Sequence, residues 1–144
     1  MKDNILNILK EYKELTSEEI MNLVDNDFKN SEFKLSLLKD KTKGAQISDT
    51  KFYLKNKNIV IKFQYDEICK RLAIYSSEDI KGLAIKELND LNVVKIEFYC
   101  NDSFIQLRKE LKENCYDQEL VRKDRFLNEK YENEVVLSYL KGEV

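Results

Sequence analysis

The chain of 144 residues is 42% hydrophobic and 36% charged with a formal net charge of −2, enough apolar material for one domain or two small ones sharing a core. The absence of histidine excludes a Ser-His-Asp triad, a Cys-His dyad and a His-ligated zinc site, and the three glycines form no phosphate-binding loop motif. There is no apolar run of about 18 residues, and Met1–Lys10 lacks the apolar core of a signal peptide, so a cytoplasmic protein without membrane association is expected. Cys69, Cys100 and Cys115 form no CxxC pair and read as plain reduced thiols. Lysine, asparagine and isoleucine make up nearly a third of the chain, against four arginines and no proline, a usage that points to an AT-rich genome such as that of a low-GC bacterium or its phage or plasmid.

Ile5, Leu6, Ile8, Leu9, Tyr12 and Leu15 recur at helical spacing and predict an amphipathic first helix over 3–15. Thr16 and Glu19 form a capping box, and Leu15 and Ile20 a hydrophobic staple, for a second helix. A third helix is predicted from Ser31 to Lys41, with Phe33, Leu35, Leu37 and Leu38 as its apolar members and Gly44 as its stop. The period then changes to two, and strands on either side of Asn56-Lys57-Asn58 predict a hairpin. In the second of these strands Ile59, Ile61, Phe63 and Tyr65 face one way, and Val60, Lys62 and Gln64 the other. A third strand is expected over 67–75, then a helix from Ser76 to about Leu91 with Asp79 at its capping-box position. A fourth strand follows over 92–100, and a helix carrying Phe104, Leu107 and Leu111. A long final helix from about Asp117 to Leu140 is predicted from the stripe Leu120, Leu127, Tyr131, Val135 and Tyr139.

Charge is distributed unevenly. Residues 1–28 carry a net −4, residues 29–62 a net +6, and residues 63–144 a net −4. The basic segment coincides with the third helix and the hairpin after it. No catalytic constellation stands out: Asp66-Glu67-Ile68-Cys69-Lys70 has the wrong spacing for a metal-dependent nuclease, and the Glu-x-Lys triplets at Glu11 and Glu32 fall on helices.

Three helices, the second opening Leu15-Thr16-Ser17-Glu18-Glu19-Ile20, followed by a basic helix and a strand-turn-strand, resemble a winged helix-turn-helix domain over residues 3–65. The resemblance implies a DNA-binding surface of Lys34, Ser36, Lys39, Lys41 and Lys43 on the third helix, with Lys55 and Lys57 at the tip of the wing. Lysines without Arg, Asn or Gln between Ser31 and Lys43 favour phosphate contact over base readout.

The expected fold is therefore α+β: an N-terminal helical, winged-helix-like part over 1–65, then a part over 66–144. The second part would hold a mostly antiparallel sheet of about four strands with flanking helices and the long C-terminal helix. The alternative is one continuous sheet, with parallel pairing across the 76–91 connection and the N-terminal helices packed on it. The expected function is that of a non-enzymatic DNA-binding regulator without catalytic residues, metal or cofactor. Its partner would be duplex DNA, and the 117–140 helix would pair it as a homodimer. The alternative is a phage- or mobile-element-encoded module that binds a single host protein, as an inhibitor of a defence nuclease or an immunity protein does.

Overall fold

The structure, a computed structural model, describes residues 1–26, 28–43, 50–127 and 130–142, without the side chains of 31, 41–43, 122–127 and 130–132. Its elements in chain order are α1 (Lys2–Ile8), β1 (Lys13–Glu14), α2 (Ser17–Asn22), α3 (Ser31–Lys43), β2 (Thr50–Asn56), β3 (Ile59–Asp66) and β4 (Arg71–Ser76). They are followed by α4 (Ile85–Leu88), β5 (Lys95–Asn101), α5 (Ile105–Glu113), β6 (Gln118–Leu127) and β7 (Lys130–Leu140). All seven strands form one sheet in the order β1-β2-β3-β4-β5-β7-β6. Every pairing is antiparallel except β4 with β5, which run parallel and are joined by a crossover through α4.

Alternation fixes the two faces of this sheet. Phe52, Phe63, Ile74, Phe98 and Leu137 lie in one cross-strand row, and all are buried beneath α1, the 80–93 segment and α5. Phe52 and Phe63 stack with ring centroids 5.1 Å apart. The row displaced by one residue, Tyr53, Lys62, Tyr75, Tyr99 and Val136, belongs to the opposite face. There α3 lies across β4, β5 and β7, and Phe33 and Leu37 close a second small core with Leu15, Leu23, Phe28, Tyr53 and Val60.

The capping box is present: the Thr16 hydroxyl accepts the Glu19 N–H and the Glu19 carboxylate accepts the Thr16 N–H, both at 3.2 Å. The hairpin is present too, turning over Lys57-Asn58 with Lys57 in the left-handed region at φ 55°. Neither belongs to a winged helix. The strands expected as a wing are β2 and β3, flanked on both sides by other strands, and α3 packs its apolar side on the sheet rather than presenting it for a groove. The alternative arrangement, one sheet with a parallel pair across the crossover, is the one the chain adopts. The sheet has seven strands rather than about four, and it runs through position 65 by the β3–β4 pairing.

Two predicted helices are absent. The 76–91 segment is a loop closed by the four residues of α4, because Gly82 (φ 79°) and Ala84 (φ 32°) sit in the left-handed region. Its intended caps are used elsewhere: the Ser76 hydroxyl donates to the Glu78 carbonyl, and the Asp79 carboxylate accepts the N–H groups of Gln106 and Leu107 at the start of α5. The 117–140 helix is the β6–β7 hairpin, so no helix exists there to pair two copies. Gly44, expected to stop α3, lies outside the described residues. Among the described residues no helix is long and apolar enough to cross a membrane.

Candidate active-site groove

At the junction of the parallel pair the sheet changes direction, and crevices at the carboxyl ends of such strands are where α/β proteins place ligands. The last paired residues there are Tyr75 and Tyr99, whose rings stack with centroids 4.4 Å apart. Beyond them the junction is closed by Asn30. Its amide donates to the Ser76 carbonyl at 2.8 Å and the Tyr99 carbonyl at 3.0 Å, one from each strand. Its oxygen accepts the N–H groups of Glu32 and Phe33, capping α3. One buried side chain thus ties α3 to both strands and fixes where the tyrosine pair sits.

Carboxylates surround the pair. The Tyr99 hydroxyl donates to Glu97 at 3.4 Å, and Glu97 also meets Arg71 at 3.4 Å. Burial pushes the Tyr75 hydroxyl well above its ordinary range, reinforced by Tyr99 and by the charges of Glu32, Glu134 and Glu97. Tyr99 is raised by burial and then by Glu97 and Glu134, against an opposing effect of Arg71. Both hydroxyls therefore stay protonated at neutral pH and remain proton donors. A small cavity of about 80 Å³ opens here, lined by Gln64, Asp66, Arg71, Ala73, Tyr75, Glu97 and Tyr99.

A larger cavity of about 240 Å³ adjoins it under α3, lined by Ser36, Lys39, Asp40, Lys51, Lys62 and Tyr75, with Glu32 and Gln64 completing the wall. At its base the Asp40 carboxylate accepts from Lys62 (2.7 Å), Lys51 (2.9 Å) and the Tyr53 hydroxyl (2.7 Å). Lys62 also donates to Ser36, and its ammonium lies 5.3 Å from the Tyr75 ring centroid and 5.9 Å from that of Tyr53. Lys62 is only 1% exposed. Burial lowers its pKa, with Asp40 acting in the opposite sense. Burial alone would raise the Asp40 carboxyl, but the hydrogen bonds from Lys62, Lys51 and Tyr53 prevail and hold it below its ordinary value.

The residues expected to bind DNA do not share one surface. Lys34 folds back to donate to the carbonyls of Val24 and Asn26, the latter at 2.7 Å, so it caps a loop. Ser36 is buried against Lys62, and Lys39 borders the larger cavity. Lys55 is half-buried beside Asp25, Asn26 and Glu78, whereas Lys57 is exposed on the β2–β3 turn. Lys41 and Lys43 lie in the last turn of α3, their side chains outside the described residues. The groove residues Asn30, Tyr75, Glu97 and Tyr99 were not singled out from the sequence, because strand pairing brings them together and no local spacing signals it.

Two other candidates are set aside by the geometry. Cys100 is buried and its thiol is pushed up to about 12, so it offers no thiolate at neutral pH. Among the described residues no group of three or more His, Cys, Asp or Glu side chains is arranged to hold a metal ion.

The β4–α4 loop is where a βαβ unit would cradle a phosphate with free backbone N–H groups at a helix start. Here the Gly82 N–H donates to both oxygens of the Glu110 carboxylate at 2.8 and 3.0 Å, and Asp79 occupies the start of α5. One donor of this loop, the Gly82 N–H, is therefore taken by a carboxylate of α5.

No family model matches this chain, and no curated protein matches it by sequence. Its backbone is similar to those of several solved structures, acetyltransferases among them. A spermidine/spermine N-acetyltransferase from Vibrio cholerae superposes with a TM-score of 0.51 at 13% identity, over 90% of this chain and 91% of that one. The smu.2055 protein of Streptococcus mutans matches with a TM-score of 0.51 at 12% identity, over 90% and 98%. A probable acetyltransferase of the GNAT family from Chromobacterium violaceum matches with a TM-score of 0.50 at 11% identity, over 90% and 81%. This likeness overturns the winged helix-turn-helix resemblance, and with it the DNA-binding regulator and the host-protein inhibitor. The expectation of a non-enzyme falls by the same finding, since it rested on missing sequence motifs while the fold is the one those acetyltransferases share.

Proposed function

We propose that the chain is an acyltransferase that moves a small acyl group from a thioester to a primary amine held in the groove at the β4–β5 junction. The observation that carries this reading is the stacked, protonated Tyr75–Tyr99 pair near the carboxyl ends of the parallel strands, with the Tyr99 hydroxyl bonded to Glu97. The fold likeness to acetyltransferases supports it. Carboxylates attract an ammonium ion and can take the proton it must lose before its nitrogen attacks. In the transfer the C–N bond forms as the bond from acyl carbon to sulfur breaks. The departing sulfur receives a proton from a tyrosine hydroxyl, the proton that the nitrogen sheds as the amide forms restores that hydroxyl, and the proton taken first by the carboxylate passes to solvent. Glu97 is assigned to the ammonium and its proton, and Tyr99, hydrogen-bonded to Glu97, to the leaving sulfur.

The test is mass-spectrometric detection of N-acetylpentylamine, formed from pentylamine and either a short phosphate-free acetyl thioester or acetyl coenzyme A. Product is expected with at least one of the two donors. Glu97→Gln should lower kcat/KM by about 10²- to 10³-fold, the usual contribution of a positioned acid-base group. The variant should stay folded, because the glutamine amide oxygen can still accept from Tyr99 and Arg71. Absence of product with both donors would overturn the reading.

A further inference from the structure

The two cavities of the groove carry opposite charge and share the walls Gln64 and Tyr75. In the larger one, Lys39, Lys51 and Lys62 face two carboxylates, Glu32 and Asp40, an excess of one positive charge. In the smaller one, Asp66 and Glu97 face only Arg71, an excess of one negative charge. Lys39 is exposed at the rim, and the enclosed lysines are fixed in place. Lys62 is enclosed between two tyrosine rings, and both Lys62 and Lys51 depend on the single carboxylate of Asp40, which Tyr53 also holds. Each ammonium has three donors, and the bonds described use two from Lys62 and one from Lys51. Two enclosed ammoniums sharing one carboxylate, with an exposed lysine beside them, favour an anion in the cavity and disfavour a further cation.

We infer that the lysine-lined cavity under α3 is a subsite for an anionic group of the acceptor, so that the substrate class is an aminocarboxylate and not a diamine. This rests on the reading of the neighbouring cavity as the amine site. Glu97 lies two strands from Lys62 and two residues along, through Ala73 and Gln64, a backbone separation of about 12 Å. An amine and a carboxylate separated by several bonds span that distance when the lysine and glutamate side chains reach toward each other. A diamine of the same length would put its second ammonium against Lys51 and Lys62.

The experiment is calorimetric titration of the whole chain with four probes of one carbon skeleton: 5-aminopentanoate, pentane-1,5-diamine, pentanoate and pentylamine. 5-Aminopentanoate should bind about tenfold or more tightly than the diamine. Lys51→Met should weaken pentanoate and 5-aminopentanoate by about fivefold or more and leave pentylamine unchanged, with thermal melting confirming that the variant is folded. The inference is overturned if the diamine binds as well as 5-aminopentanoate, or if neither carboxylate binds. It is equally overturned if Lys51→Met weakens pentylamine as much as pentanoate. A different outcome bears on the amine reading alone: pentanoate binds and responds to Lys51→Met while pentylamine does not bind. That result removes the amine site and supports the anion subsite.

Discussion

Replacing Asp40 with alanine is expected to destabilise the fold by about 3–5 kcal/mol, because it leaves the enclosed Lys62 ammonium without a counter-charge. The Tyr53 hydroxyl and Lys51 lose the same acceptor. Since a domain of this size has only about 5–15 kcal/mol of net stability, the variant should unfold at markedly lower urea concentration or fail to fold at all. Lys62→Met removes the charge together with the need for a partner, and should be neutral or stabilising, as replacements of buried ions by apolar side chains often are. The pH dependence has a definite sign. The folded-state pKa of Asp40 lies below its ordinary value of 3.8, so its stabilising contribution is present above that value and is lost as pH falls through the folded pKa. Lys62→Met should therefore weaken the acid limb of the stability curve. A loss under about 1 kcal/mol for Asp40→Ala in urea denaturation would show that the cluster is not the anchor between α3 and the sheet.

Asn30 gives the second large effect. Asn30→Ala strips two strand carbonyls and two helix N–H groups of their buried partner at once, an expected cost of about 2–4 kcal/mol. Asn30→Asp keeps the acceptor for the α3 N–H groups but sets a carboxylate against the Ser76 and Tyr99 carbonyl oxygens. It should be worse than alanine at neutral pH and recover as the acid protonates. If Asn30→Asp proved as stable as the parent in urea, the amide would not be what closes the parallel junction.

Much of the local structure is legible in the sequence. The Thr16–Glu19 box, the Lys57-Asn58 turn, the alternation in β3 and the Phe104, Leu107, Leu111 face at α5 all read correctly, since each depends on neighbours within one element. The failures have a physical pattern. Tyr131, Val135 and Tyr139 recur every four residues, and a spacing of four satisfies a strand period of two as well as a helix face. The β-branched pair Val135-Val136 and the pairing of Phe98 with Leu137 and Ile96 with Tyr139 favour the strand. Ser76 and Asp79 look like caps for the helix that follows them, but Asp79 caps α5, whose start lies 26 residues further on in the chain. The lysine-rich 29–62 segment looked like an exposed phosphate-binding face. Its chemistry is instead divided between loop capping by Lys34 and the enclosed Lys51–Asp40–Lys62 cluster.

The site itself was invisible for the same reason. Tyr75 and Tyr99 are separated by a crossover, and only the parallel register of β4 and β5 stacks them. Glu97 and Lys62 sit at alternate positions on what reads as a solvent face. Burial of that face by α3 turns them into a groove. Charge counted along a segment carries no information about which carboxylates a fold will gather around a tyrosine.

The groove's role as the amine site is tested most directly by amide chemical-shift mapping of the uniformly ¹⁵N-labelled chain titrated with pentylamine. Saturable shifts are expected at Ala73, Tyr75, Glu97 and Tyr99 and at the start of α3, with the Glu97→Gln variant losing them while its spectrum stays that of a folded protein. Shifts confined to α5 and the β4–α4 loop, or no saturable shifts at any residue of the polar sheet face, would contradict it.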